Sequence, residues 1–198
     1  MTVSVLDYVL LAGQCGKSHE EDKRSMMKIR NADPKDIPEI LALYNHAVRE
    51  TTAAWTTREE TLEERLNWFE NRQLAGLPVL VAETEEGSVA GFASYGSFRA
   101  KEGYRLTAEH TVYVDPRVQR RGVGRKLLTQ LISTATANGY HVLVGVVDGD
   151  NAASIALHSA VGFEVTGRLP QLGTKFGRWL DLVFLTKVLD EKAAAPVG

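Results

Sequence analysis

Hydrophobic positions along this chain change their spacing several times, and each change marks an element. Lys28 to Asn31 reads as a first strand, after which Asp33-Pro34-Lys35-Asp36 has the cap-then-proline order that opens a helix. Ile37, Ile40, Leu41, Tyr44 and Val48 then fall on one helical face. The period breaks over 49–57, where hydroxyl side chains surround Trp55, and a second helix is expected from Leu62 to Leu74, with Thr61 and Glu64 spaced for a capping box. Pro78 to Ala82 and Val89 to Ser97 read as a hairpin joined by the acidic turn Glu83 to Gly87, followed by a polar connection over 98–108. The β-branched run Thr111 to Val114, closed by Asp115-Pro116, reads as a central strand. Beyond it lies a basic glycine loop, and Val123, Leu127, Leu128, Leu131, Ile132 and Ala135 then keep helical spacing until Asn138-Gly139. Val142 to Val147 is almost wholly apolar, as a strand buried on both faces would be.

Strand, helix, strand at this spacing implies a right-handed crossover and a parallel pair. Asp148-Gly149-Asp150-Asn151 turns the chain into a helix over Ala152 to Val161, stopped by Gly162. Phe163 to Val188 holds two strands around a basic, glycine-bearing loop, Gly173 to Arg178. The expected architecture is α+β, a mixed sheet with helices on both faces. Residues 1–26 read as a leader, with the domain over 27–189 and a disordered tail after it.

Composition narrows the function classes. The 198 residues are 44% hydrophobic and carry a formal charge of −2, which suits one well-packed domain and lacks the positive excess of a nucleic-acid binder. The single cysteine, Cys15, lies in the leader, so neither an intrachain disulfide nor a cysteine metal site is expected and a reducing, cytoplasmic setting is the default. No segment has the apolar length of a membrane span.

The candidate chemistry sits between residues 109 and 125. Gly122 and Gly124 are expected to bring the backbone close to a ligand where the first amides of a helix lack intrahelical partners, and phosphate oxygens are natural acceptors there. Arg120, Arg121 and Arg125 add positive charge, which suits a pyrophosphate better than one carboxylate. No Gly-Lys-Ser/Thr follows to hold a magnesium nucleotide. Asn151 is placed as a helix N-cap. Trp55 is open between a pocket wall and a core aromatic, and Glu109, read by itself, is a solvated strand-end carboxylate.

Val-Tyr-Val-Asp-Pro, the Gln119-x-x-Gly122-x-Gly124 loop, Asn151-x-x-Ser154 and Gly162-Phe163 together resemble the GNAT superfamily of acetyl-CoA-dependent N-acetyltransferases. Ser97-Phe-Arg99, Tyr104, Glu109 and the Gly167-Arg-Leu-Pro and Lys-Phe-Gly-Arg-Trp-Leu-Asp stretches resemble its phosphinothricin and methionine sulfoximine branch. The resemblance implies the GNAT acyl-CoA N-acyltransferase fold, with acetyl-CoA as co-substrate and no metal. Val112, Tyr113 and Val114 would pair with the pantetheine arm, residues 120–125, Val123 included, would cradle the pyrophosphate, and Asn151 and Ser154 would assist.

It further implies an acceptor site at residues 99–101 and 109–111, that is Arg99, Lys101, Glu109, His110 and Thr111, with Trp55 nearby and Arg99 clamping a carboxylate. Glu109 would be the general base, because an amine must lose a proton before it attacks. His110 is the rival, but neighbouring strand residues face opposite ways, so only one of the two can face the acceptor. A backbone amide near Val112 would steady the oxyanion. His158 occupies the place of a tyrosine acid, as an acid or as an ordinary helical histidine, and Lys101 reads as a solvated charge. A homodimer is the implied assembly. The rival readings are a CoA-binding module without turnover and a transferase for protein N termini or polyamines.

Overall fold

The computed structural model describes residues 27–195, so the expected leader with Cys15 and the last three residues of the tail lie outside the described residues. Seven strands form one sheet: β1 Lys28–Asn31, β2 Val79–Glu83, β3 Val89–Ser97, β4 Thr107–Val114, β5 Val142–Asp148, β6 Glu164–Lys175 and β7 Arg178–Val188. The helices are α1 Ile37–Glu50, α2 Leu62–Leu74, α3 Val123–Ala137 and α4 Ala152–Ser159. The strand order is β1-β2-β3-β4-β5-β7-β6, and every neighbouring pair is antiparallel except β4 with β5. That one parallel pair is the crossover through α3.

Local chemistry accounts for most boundaries. Thr61 accepts from the Glu64 amide while the Glu64 carboxylate accepts from the Thr61 amide, so the capping box starts α2 where the sequence places it. Arg30 on β1 binds both oxygens of the buried Asp36 and also reaches Glu83, tying the first strand to the turn after it and to β2.

Two apolar clusters hold the helices to the sheet. Ile37, Ile40, Phe69, Val81 and Phe92 pack α1 and α2 on one face. Tyr95, Leu127, Leu128, Leu131, Leu143 and Leu185 pack α3 on the other, with Ile155 and Leu157 of α4 against them. Each such fully buried side chain contributes about 1.5–3 kcal/mol.

Three boundaries differ from expectation. β4 begins at Thr107, because the antiparallel ladder to β3 continues back to the Ser97–Ala108 pair, so Glu109 stands inside the strand rather than before it. α4 ends at Ser159, where the Phe163 and Val161 amides turn back onto His158 O. Gly173 to Lys175 belong to β6, paired to Leu180, Trp179 and Arg178, and the turn is only Phe176-Gly177. No helix among the described residues is long and apolar enough to cross a membrane.

Candidate active site

β4 and β5 pair only from Thr107–Val142 to His110–Gly145, although β4 runs on to Val114 and β5 to Asp148. Beyond that point the two strands part inside the sheet. Their outer edges stay paired to β3 and β7, while the facing edges of 111–114 and 146–148 have no strand between them. A backbone edge inside a sheet invites an extended ligand with amides of its own. The cavity at the fork is lined by His110, Thr111, Val112, Tyr113, Val146, Val147, Asp148, Asn151, Ser154, His158 and Ala53.

The open end of the fork leads to the basic loop. Asp115 accepts from the Arg117 amide and starts the short turn Pro116–Val118, and Arg120 and Gly122 both take positive φ before α3 begins at Val123. Gly122 caps α3 without a side chain to satisfy the helix amides, and no acidic residue lies in the first turn, so those amides remain available to an anion. Arg120, Arg121 and Arg125 are exposed and make no ion pair among the described residues. The two glycines serve different ends. Gly122 is needed for its φ of 83°, whereas a Cβ on Gly124 would press on Leu157 at 3.0 Å, so its missing side chain also lets α3 approach α4.

Asn151 caps α4 by accepting from the Ser154 amide at 3.0 Å, and both residues line the fork.

Glu109 and His110 point to opposite faces. Gly96 is the register partner of Glu109, and a Cβ on Gly96 would run into the Arg72 guanidinium of α2, so the Glu109 side chain stands on the α1–α2 face. It is half-buried, and burial pushes its carboxyl up from the usual range while the positive charge of Arg99 opposes the shift. Arg99, Lys101 and Thr111 are exposed, with Arg99 over the Phe98 ring at 5.0 Å.

His110 faces α4 and is buried at the apex of the fork. Its Nε2 lies 2.9 Å from Nε2 of the equally buried His158, and Phe163 packs on both rings. His158 Nδ1–H donates to the Ser154 carbonyl at 2.7 Å, which assigns its Nε2 as an acceptor and therefore His110 Nε2–H as the donor. His110 Nδ1 makes no hydrogen bond of good geometry. Burial, and then the neighbouring His158, lowers His110 to about 3, the Val144 backbone opposing weakly, and burial lowers His158 as well. Trp55 is half-buried and lies on the backbone of Gly173; Ala53, not Trp55, reaches the fork.

Residues 29–184 match the acetyltransferase (GNAT) domain family. The chain belongs to the GNAT acetyltransferases. It is 52% identical over 168 residues to an L-methionine sulfoximine/L-methionine sulfone acetyltransferase of Salmonella typhimurium, covering 85% of this chain and 98% of that one. A phosphinothricin N-acetyltransferase of Alcaligenes faecalis is 37% identical, covering 84% of this chain and 85% of its own. A Salmonella typhimurium structure solved with its cofactor acetyl-CoA superposes with a TM-score of 0.84 at 51% identity, over 88% of this chain and all (100%) of that one. As a GNAT enzyme this protein is an acetyl-CoA-dependent N-acetyltransferase.

What sequence reasoning missed is the joining of Lys175 to the 51–55 segment. Lys175 is the last residue of β6, and its partners are backbone carbonyls more than a hundred positions away, for which no local motif exists.

Proposed function

We propose that the acceptor is the amino group of a small amino-acid analogue of the methionine sulfoximine, methionine sulfone or phosphinothricin type. Glu109 is the general base and Arg99 the clamp for the acceptor's carboxylate. The observation that carries this reading is Glu109 itself: half-buried, with a raised carboxyl, and with the charge of Arg99 acting on it. A raised carboxyl is better matched to taking a proton near neutral pH. The names of the relatives support the acceptor class.

In this reading Arg99 orients the acceptor and Glu109 takes a proton from its ammonium. The freed nitrogen attacks the thioester carbonyl, the carbon–sulfur bond breaks with the electron pair leaving on sulfur, and the second nitrogen proton passes to the departing thiolate or to water. A thiol with a pKa of about 8.5 leaves as thiolate without an obligatory acid. His158 is therefore assigned a supporting place at the apex of the fork, since both of its ring nitrogens are engaged. The amide near Val112 is assigned to the carbonyl oxygen, Val112 to Val114 to the pantetheine arm, and residues 120–125 to the pyrophosphate.

The protein acts as a homodimer in the cytoplasm. Leu169, Leu172, Phe176 and Trp179, all exposed on the β6–β7 hairpin, support the first statement. The test of the acceptor class is thiol release from acetyl-CoA across a panel of amino acids, peptides and polyamines. Methionine sulfoximine or sulfone is expected to lead, and release only with peptides or polyamines would overturn the class. Arg99→Ala is expected to raise the KM for the amino acid about tenfold, the size of one lost charge-assisted contact, with the KM for acetyl-CoA unmoved.

A further inference from the structure

The segment between α1 and α2 is fastened to the far end of the sheet at three points. Lys175 is buried, and its ammonium donates to the carbonyl oxygens of Thr51 and Ala54, each at 2.6 Å. Thr52 Oγ1 donates to the buried carboxylate of Asp148, at the end of β5. The Trp55 indole lies so close on the Gly173 backbone that a Cβ there has no room.

The Lys175 bonds are unusual in chemistry as well as in reach. An ammonium is costly to bury, and here no carboxylate pairs with it among the described residues; burial alone acts on it, lowering its pKa. The connection between the helices has other supports, since Asn45 already binds the backbone of Glu60 in both directions. What the three fastenings fix is the part of the connection that faces the site. Ala53 lines the fork between β4 and β5, and Thr51 and Thr52 line the adjoining open groove with Asp148, Phe176 and Arg178.

We infer that Lys175 is a positioning residue for acceptor binding: it holds residues 51–55 as the wall that closes the acceptor side of the fork. Thr51 and Ala54 are held by their backbones, so the wall keeps its shape whatever side chains it carries, and the hairpin tip and the wall move as one body. The inference rests on the acceptor approaching from the α1–α2 face, as proposed above.

Lys175→Met keeps the aliphatic stem and removes the donors. The KM for methionine sulfone is expected to rise about tenfold or more, since a misplacement of ~1 Å can cost on the order of 10²-fold. The affinity for acetyl-CoA, read by calorimetry, stays within about twofold, and hydrogen exchange of the 51–55 amides accelerates about tenfold. Gly173→Ala, which displaces the Trp55 ring and leaves the ammonium in place, is expected to show the same split and carries the test if Lys175→Met does not fold.

Unchanged exchange, an unmoved acceptor KM, or equal losses for acceptor and acetyl-CoA would overturn the role. Arg99→Ala separates it from the acceptor reading, because that variant should raise the acceptor KM without altering exchange at 51–55. A wild-type protein inactive on every amino acid would remove the acceptor reading and this role with it. Normal turnover with no KM change in Lys175→Met and Gly173→Ala removes this role alone.

Discussion

Glu109 and His110 are neighbours on β4, both titratable, and the sheet separates them completely. Burial pushes both toward their neutral forms, which raises the carboxyl and lowers the imidazole. The environments differ in what remains open. Glu109 keeps partial exposure and feels the charge of Arg99, whereas His110 is sealed against His158 and Phe163 with its Nε2 proton already committed. A base works only where the acceptor can reach it, as the carboxylate for Glu109 and as the neutral imidazole for His110. On the function proposed above, the side of the strand decides which residue takes part in chemistry and which holds the fork together.

The largest effect that would break this contrast is on turnover. Glu109→Gln is expected to lower kcat by about 10²–10⁴-fold, the usual range for a lost general base, with acetyl-CoA affinity retained in calorimetry. His110→Gln, which keeps an N–H donor toward His158, is expected to leave kcat within about fivefold, below what loss of a general base would cost. Steady-state thiol release decides between them, and equal losses in the two variants would mean that both faces of β4 take part.

How much of this was legible in the sequence follows the range of the interactions. The start of α2 was legible because a capping box is spelled within four residues, Thr61 to Glu64, and the crossover because the apolar period of β4, α3 and β5 is local. The opposite facing of residues 109 and 110 followed from strand alternation alone. The pairing of His110 with His158 did not, since two residues 48 apart meet only once α4 has folded back on the sheet. A second reason for Gly124 was hidden in the same way: a Cβ there would press on Leu157, which becomes visible only once α4 has packed against α3. Lys175 was read as part of a basic, glycine-bearing loop, because its backbone partners leave no trace in side-chain spacing.

The second way to sharpen the contrast is acid stability. His110 has a folded-state pKa near 3, against about 6.5 when unfolded. Below the unfolded value the unfolded chain binds more protons, so stability present above about pH 6.5 is lost as pH falls toward the folded value. His158, lowered in the same direction, adds to the loss. Unfolding free energies from urea titrations should drop by an amount on the order of 2 kcal/mol between pH 7 and 5, before the paired carboxylates begin to titrate. His110→Gln should flatten that slope. A wild-type midpoint constant over this window would show that the histidine pair is open to solvent and not sealed.

The smallest effect tests whether strain on the sealed face stays out of catalysis. Gly145 is the register partner of His110 on β5, and a Cβ there would meet His110 Cε1 at 3.0 Å and His158 Nε2 at 3.1 Å. Both rings must shift by a few tenths of an ångström to admit it, an overpacking that costs about 1 kcal/mol. Gly145→Ala is therefore expected to lower the urea midpoint slightly, while the acceptor KM and kcat stay close to wild type because nothing on the Glu109 face is touched. A large fall in kcat with little loss of stability would make the histidine pair a working part of the site, and the division of labour across β4 would have to be redrawn.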